Sequence, residues 1–161
     1  MRNHHKKRKK VLFISSLGGH LTQLLQLAPL FGMYDYHIVT ERSVITKELQ
    51  KQYPMSFLVY GARNYPFKYI FKFSYNIFKS FIIFIREKPD VIVTTGAHTA
   101  VPMCYIAKIF GKKIVFIESF AKTSTPTISG KLIYPIADLF IVQWKDMLKH
   151  YPKAVYGGSI Y

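Results

Sequence analysis

Two short segments of the chain place glycine and histidine directly after an apolar run. One is Ser15 to His20 (SSLGGH), and the other is Thr94 to Thr99 (TTGAHT). Glycine lets the backbone approach a phosphate closely, and the amides at a helix N-terminus favour an anion. A histidine titrates near neutral pH and can take a proton from a hydroxyl group. Each segment therefore predicts either an anion-binding floor with a candidate base, His20 in the first, or a simple tight turn.

A third segment, Glu118 to Gly130 (ESFAKTSTPTISG), begins with a carboxylate and continues through several hydroxyl side chains. In a chain this basic, Glu118 is a candidate catalytic residue that could order a sugar hydroxyl or orient a histidine. The structural alternative is an ion pair with Lys122 or Lys113. The sequence leaves both roles open.

Several well-known chemical motifs are missing from the sequence. The first loop has neither the dinucleotide fingerprint Gly-x-Gly-x-x-Gly nor the nucleotide loop Gly-x-x-x-x-Gly-Lys-Ser/Thr. No Cys/His spacing fits a zinc site, no carboxylate pair fits a glycosidase, and Cys104, in an apolar helical pattern, fits a small core residue. We therefore expect neither a metal nor a cofactor.

The charge of the chain is its most unusual compositional feature. Its 161 residues carry 23 Lys and Arg against 8 Asp and Glu, a formal net charge of +15. A field of that sign attracts phosphates, so nucleic acid, anionic lipid and pyrophosphate-bearing substrates are all candidate partners. Residues 1–10 (MRNHHKKRKK) concentrate this charge, and the apolar run behind them is too short for an export signal. We predict a surface segment that attracts anionic membranes, by about 1 kcal/mol per basic residue.

Short apolar runs alternate with helix-like patterns along the rest of the chain. The length fits one domain, residues 11–161. Alternating strands and helices predict an α/β, Rossmann-like parallel sheet covered on both faces, whose loops meet at the carboxyl ends of the strands. The predicted strands are Val11 to Ile14, Tyr36 to Val39, Ser56 to Val59, Val91 to Thr94, Ile114 to Ile117 and Leu139 to Val142, and the predicted helices include Leu21 to Phe31, Ala100 to Phe110 and Ile128 to Ala137.

The segment Tyr65 to Arg86 (YPFKYIFKFSYNIFKSFIIFIR) does not fit the pattern of the remainder. At about 100° per residue, its cations form one narrow stripe on a wide apolar helix. Cations in mid-segment disfavour a transmembrane span and favour a helix lying in the membrane interface, with core packing or a partner surface as the alternative. The predicted interface residues are Lys68, Lys72, Phe78, Lys79, Phe81 and Arg86.

Six short stretches, taken together and in order, resemble a known family. The sequence is similar to the accessory subunits of split GT-B glycosyltransferases. These include bacterial capsule and exopolysaccharide transferases of the PssD/CpsF type and the eukaryotic enzyme that adds the second N-acetylglucosamine to dolichol pyrophosphate. The stretches are Ser16 to His20, Thr95 to His98, Ile117 to Ser119, Ser129 to Tyr134, Ala137-Asp138 with Val142 to Trp144, and Tyr156 to Gly158.

The resemblance implies the N-terminal half of a GT-B transferase, which binds a lipid-pyrophosphate-linked sugar acceptor. A separate catalytic subunit, in a heterodimer, would hold the UDP-sugar. His20 would be the base. The acceptor pyrophosphate and its cleft would be lined by Ser16, Gly18, Gly19, Gly96, His98 and Thr99, with Glu118 completing the site.

The resemblance also implies a location and a division of labour. Eukaryotic members have a transmembrane helix before the first strand, whereas this sequence has the basic residues 1–10 there. We therefore expect peripheral attachment to the cytoplasmic face of the cell membrane. The sequence ends shortly after Gly157-Gly158, where an intact enzyme would begin its second domain, so we expect little or no activity without the partner.

Two other readings compete with this one. The chain could serve only to position acceptor and partner, with every chemical group on the other subunit. It could also be a basic membrane- or nucleic-acid-binding module, although no helix-turn-helix or RNA-binding signature is present. We expect no nucleic-acid partner.

Overall fold

The structure, a computed structural model, describes residues 8–60 and 66–160, and the side chains of residues 66–69 lie outside that description. Seven parallel strands form one sheet in the order β3-β2-β1-β4-β5-β6-β7. The strands are β1 Lys10–Ser15, β2 Asp35–Glu41, β3 Met55–Leu58, β4 Val91–Gly96, β5 Lys113–Ile117, β6 Leu139–Val142 and β7 Val155–Tyr156. The helices are α1 Gly19–Leu25, α2 Ala28–Phe31, α3 Val44–Leu49, α4 Pro66–Glu87, α5 Ala100–Ile109 and α6 Ile128–Ile133, with a 3-10 helix at Lys145–Lys149.

Strand β1 lies inside the sheet, between β2 and β4. Leu12 is opposite His37 on one side and Ile92 on the other. Strands β1, β2 and β3 follow one another toward one edge of the sheet. The chain then returns to pair β4 with the other side of β1, and strands β4 to β7 follow one another toward the opposite edge. In open α/β sheets, ligands bind at the carboxyl ends of the strands beside such a reversal, here β1 and β4.

Alternation along the strands divides the apolar residues between two cores. Leu12 and Ile14 of β1 face a core shared with α4, α5 and α6, while Val11 and Phe13 face a core shared with α1, α2 and part of α3. This period-2 pattern explains why uninterrupted apolar runs form strands here, since both faces of each strand are apolar.

Cover on the α1 side of the sheet is incomplete along β4, β5 and β6. An open apolar cleft of about 520 Å³ lies there, bordered among others by Val93, Val115, Ile141 and Ile160. Within the described residues, α1 to α3 pack over the other half of this face. The prediction of a sheet covered on both faces is therefore correct for only half of the α1 side.

All six predicted strands and all the predicted helices are found, with shifted ends. The predicted helix Leu21 to Phe31 is two short helices, because Pro29, in the first turn of α2, has no amide to continue the hydrogen bonds of α1. The predicted helix Ile128 to Ala137 ends at Ile133. Helix α3, strand β7 and the 3-10 helix were not predicted. Helix α3 begins with a capping box in which Ser43 and Thr46 bond reciprocally.

Helix α4 spans 22 residues, and the face that packs against the domain includes polar side chains. Asn76, Ser80, Ile83 and Phe84 are buried against the domain, and the Asn76 carboxamide pairs with both backbone groups of Val59. Large apolar side chains occupy the outer face instead, namely Ile70, Phe71, Tyr75, Ile77, Phe78, Phe81, Ile82 and Ile85. Across the described part of the chain, no helix combines the length and hydrophobicity that crossing a bilayer requires.

Candidate functional site

A chain of hydrogen bonds joins the loops after β1, β2 and β4. The Ser16 hydroxyl donates to Thr99 Oγ1 at 2.8 Å, and the Thr99 hydroxyl donates to Glu41 Oε1 at 2.8 Å. The other carboxylate oxygen of Glu41 accepts the amide of Leu17 at 3.1 Å. The predicted site residues Ser16 and Thr99 therefore meet, and both are buried where they fix the two loops to each other.

Glu41, at the carboxyl end of β2, is the residue that the sequence analysis missed. Its side chain is only 1% exposed, and His98 Nε2 lies 3.8 Å from its Oε1. The signal was available, since a carboxylate directly after a predicted strand in a basic chain is the argument that singled out Glu118. It was overlooked because the Glu-Arg-Ser sequence that begins at the last residue of β2 contains neither glycine nor histidine.

His20 lies in the first turn of α1 with its ring turned toward the end of β4. Nδ1 lies 2.6 Å from the carbonyl oxygen of Thr95, and the Thr95 hydroxyl donates to the backbone carbonyl of His20 at 2.7 Å. A carbonyl oxygen only accepts, so Nδ1 carries the proton of the neutral ring and Nε2 carries the lone pair. The Thr95 carbonyl thereby sets the tautomer of the ring.

Gly96 lies between His20 and the third loop. It adopts φ +92°, and a Cβ atom placed there would lie 3.3 Å from His20 Nδ1 and 3.4 Å from Ser129 Oγ. His20 and Ser129 therefore converge on one glycine. Gly18, at φ +76°, and Gly19 are exposed, and a Cβ on either would meet nothing within 4 Å. The predicted phosphate floor is thus an open stretch of backbone beside His20.

Glu118 is 1% exposed, and protein donors surround both of its oxygens. Oε1 accepts the Ser119 amide at 3.0 Å and the Thr127 hydroxyl at 2.8 Å, and Oε2 accepts the Tyr151 hydroxyl at 3.1 Å. Burial and the neighbouring carboxylate raise the pKa of Tyr151 above its ordinary value. This arrangement favours a positioning role, in which Glu118 ties the third loop to α6, over contact with a substrate.

The alternative ion pairs proposed for Glu118 do not form among the described residues. Lys113 instead pairs with Asp138 at 2.8 Å. Lys122 points to a cleft of about 270 Å³ between the second and third loops, which His98 also lines. The remaining walls of this cleft are Ala97, Val101, Pro126, Thr127, Ile128, Ser129 and Leu132. A cation and a histidine therefore lie beside an apolar wall in this cleft.

Cys104 and the predicted interface residues lie apart from this site. The Cys104 side chain is fully buried in α5, and burial raises the pKa of its thiol to about 12, so it is a core residue. Helix α4 carries the predicted interface residues Lys72, Phe78, Lys79, Phe81 and Arg86. The side chain of Lys68 lies outside the described part of the structure, and so do residues 1–7 and 61–65 as a whole.

Comparison with known proteins places the chain in a family. Residues 10–160 match the family described as oligosaccharide biosynthesis protein Alg14 like. The mouse protein named UDP-N-acetylglucosamine transferase subunit ALG14 is 30% identical over an alignment that covers 94% of this chain and 82% of the mouse protein. The human protein of the same name is 28% identical over an alignment that covers 93% of this chain and 82% of the human protein.

Solved structures show the same fold at low sequence identity. MurG from Acinetobacter baumannii superposes with a TM-score of 0.69 at 16% identity, covering 86% of this chain and 42% of MurG. UDP-N-acetylglucosamine 2-epimerase from Rickettsia bellii superposes with a TM-score of 0.69 at 17% identity, covering 90% of this chain and 41% of the epimerase. The chain spans about two fifths of each of these proteins, and the prediction of a Rossmann-like domain of the GT-B type is confirmed. By its sequence, the chain belongs to the Alg14-like family of oligosaccharide biosynthesis proteins.

Proposed function

We propose that this protein is the acceptor-binding subunit of a two-component UDP-sugar glycosyltransferase. The family assignment supports a transferase subunit, because the mouse and human relatives are named as subunits of a UDP-N-acetylglucosamine transferase. In the proposal, this chain binds a sugar acceptor linked to a lipid pyrophosphate, and a separate catalytic subunit holds the UDP-sugar. Setting the reaction in capsule or exopolysaccharide synthesis is part of the proposal and rests on the sequence resemblance alone.

The orientation of His20 is the observation that carries a chemical role for this chain. Because Nδ1 donates to Thr95, Nε2 is the basic nitrogen of the ring. In the proposed step, an acceptor hydroxyl oxygen bonds to the anomeric carbon of the UDP-sugar as the bond from that carbon to UDP breaks. His20 Nε2 takes the hydroxyl proton, and UDP leaves with the electron pair. General-base assistance of this kind contributes about 10² to 10⁴ in rate.

The acceptor pyrophosphate is proposed to lie between the open Gly18-Gly19 backbone and the Lys122 side chain. Both glycines are exposed beside His20, and Lys122 shares its cleft with His98. The apolar wall of that cleft, which includes Val101 and Leu132, suits the first part of an isoprenoid chain. Glu41 and Glu118 act here as positioning residues that hold the loops, since both carboxylates are buried among protein donors.

The outer face of α4 is proposed to lie in the membrane interface. Phe71 is 77% and Phe78 62% exposed, although the helix buries Asn76 and Ser80 against the domain. At about 100° per residue, Lys72, Lys79 and Arg86 fall along one border of the apolar face, where they would reach lipid headgroups. The lone cysteine fits a reducing compartment, which supports the cytoplasmic face of the membrane.

The apolar cleft over β4, β5 and β6 is proposed to receive the catalytic subunit. Parallel sheets are buried on both faces by helices, and here the described chain leaves about 520 Å³ of this face open beside Val93, Val115 and Ile141. An apolar helical segment of the partner would complete the layer. Because the cleft lies over β4 to β6, a partner bound there would lie on the same half of the sheet as Glu118 and the loop of residues 118–130.

Reconstitution tests the whole proposal. The full chain and its catalytic partner are combined in membranes with labelled UDP-sugars and lipid-linked acceptors, and labelled lipid product is measured. We expect product from the pair and little from either subunit alone. Equal product from the partner without this chain would overturn the proposal.

A further inference from the structure

A small cleft, separate from the one that Lys122 lines, lies between α1, Phe120 and the C-terminal residues. It measures about 180 Å³ and is lined by Thr22, Gln23, Gln26, Phe120 and Ser159. Two carboxamides, two hydroxyls and one aromatic ring therefore surround this space. Carboxamides both donate and accept hydrogen bonds, as sugar hydroxyls do.

The aromatic wall of this cleft is held rigidly. Trp144 Nε1 donates to the backbone carbonyl of Phe120 at 2.7 Å, and the two rings lie 5.0 Å apart at 41°. Phe120 remains 40% and Trp144 36% exposed. The fixed, partly exposed Phe120 ring gives the cleft a flat apolar surface of the kind on which the C–H groups of a pyranose ring pack.

Gln23 gives the cleft an unsatisfied acceptor. Its carboxamide oxygen is buried and has no hydrogen-bond partner among the described residues. A buried polar atom without a partner is unfavourable and is rare in native proteins. A hydroxyl group entering the cleft would supply the missing donor after a small rotation of the carboxamide.

The cleft is also close to the proposed base. Gln23 follows His20 by three residues in α1, and side chains at that spacing are neighbours on one face of a helix, about 5–6 Å apart at Cβ. A sugar seated against Gln23 and Phe120 therefore lies within one helical turn of His20. The other cleft, lined by Lys122 and His98, lies toward α5 and α6.

We propose that this cleft, which we name the Gln23–Phe120 cleft, binds the acceptor sugar ring whose hydroxyl is glycosylated. Gln23 and Gln26 pair with ring hydroxyls, and Phe120 packs against the C–H face of the sugar. The inference rests on the proposed acceptor-binding function and assigns the sugar to a cleft other than the one that Lys122 lines.

Trp144 provides a binding test that requires no catalysis, because it is the only tryptophan in the sequence. The full chain is titrated with the methyl glycosides of N-acetylglucosamine, glucose and galactose while Trp144 fluorescence is recorded. We expect a saturable change with at least one glycoside, lost in Gln23→Leu. Gln52→Leu, at an exposed glutamine beyond α3, is the matched control and should bind as the parent does. No saturable change with any of the three glycosides, or equal binding by Gln23→Leu, would overturn the inference.

Kinetics of the reconstituted pair separate this inference from the proposed function. We expect Gln23→Leu to raise KM for the lipid-linked acceptor about tenfold, the effect of losing one hydrogen bond of about 1.4 kcal/mol, with KM for the UDP-sugar unchanged. Gln23→Leu should melt no lower than the parent, since it removes an unpaired buried oxygen. Active parent and variant pairs with the same acceptor KM would refute the sugar site alone. A parent pair without any transfer would refute the proposed function, and the fluorescence titration would still decide the sugar site.

Discussion

His20 and Thr95 hold each other through two hydrogen bonds that run in opposite directions. The histidine ring donates from Nδ1 to the Thr95 carbonyl at 2.6 Å, and the Thr95 hydroxyl donates to the His20 carbonyl at 2.7 Å. The end of β4 thereby fixes both the start of α1 and the tautomer of the ring. Any role of His20 in catalysis depends on this pairing, which crosses the point where the strand order reverses.

Replacing His20 by alanine should leave the fold intact and lower transfer by the reconstituted pair. We expect kcat to fall by about 10² to 10⁴-fold with little change in acceptor KM, because a general base accepts the proton in the transition state and does not contribute to binding of the acceptor. His150→Ala, at an exposed histidine bonded to Ser124, is the control and should retain the parent kcat. Unchanged transfer in His20→Ala would assign all the chemistry to the partner subunit.

Gly96→Ala and Gly111→Ala form a matched pair. Both glycines have positive φ, +92° and +65°, so each substitution should cost about 1 kcal/mol of unfolding free energy. Only at Gly96 would the new Cβ crowd the His20 ring, at 3.3 Å, whereas nothing lies within 4 Å at Gly111. Urea unfolding should show both losses, and transfer assays should show a lower kcat for Gly96→Ala alone. Similar kcat values for the two variants would argue against His20 at the reaction centre.

Glu41→Gln should destabilise the protein, although the side chain keeps its size. Glu41 accepts from Thr99 and from the Leu17 amide, and glutamine would offer an N–H group to one of these donors. We expect a loss of about 2 kcal/mol by urea unfolding. Glu48→Gln, at an exposed carboxylate paired with Lys51, should change stability by less than about 0.5 kcal/mol. Equal small effects would mean that the Glu41 network does not hold the loops.

His37 should make the protein less stable in weak acid. Burial lowers its pKa below the ordinary value, against the opposing effect of Glu87, and Arg86 and Lys10 lower it further. Since the unfolded chain then binds the proton more readily, this contribution to stability is present above pH of about 6.5 and is lost as the pH falls toward the folded-state pKa. Unfolding free energies at pH 7.5 and at pH about 5.5 should differ less in His37→Gln, which retains a partner for Ser56, than in the parent. The same pH dependence in both proteins would contradict this assignment.

The double substitution Phe71→Ser and Phe78→Ser should weaken binding to anionic vesicles without lowering the melting temperature. Both side chains lie on the outer face of α4, so their removal costs apolar surface at the membrane and not in the core. Ile109→Ser, at an 81% exposed position on α5, is the control. Sedimentation with phosphatidylglycerol vesicles measures the effect. Preferential retention of the parent on an oligonucleotide instead would favour the nucleic-acid alternative.

Much of the fold follows from the sequence, because strands such as Lys10–Ser15 are buried on both faces and therefore appear as continuous apolar runs. Helix α3 was missed because it is short, and its start depends on the local pairing of Ser43 with Thr46. Strand β7 was missed because its two residues are exposed and gain their place only by pairing with β6.

The candidate site divides in the same way. Glycine and histidine at strand ends identify the loops of His20 and Gly96 from the sequence, since few residue types suit tight turns and proton transfer at neutral pH. The role of Glu118, and the importance of Glu41, depend on donors that lie up to 58 residues away along the chain, as Thr99 lies from Glu41. Hydrogen-bond partners are set by strand order, and only the tertiary structure brings β2 and β4 to either side of β1. The sequence by itself determined which residues could do chemistry, and the fold decided which of them are exposed for it and which are buried to hold the others in place.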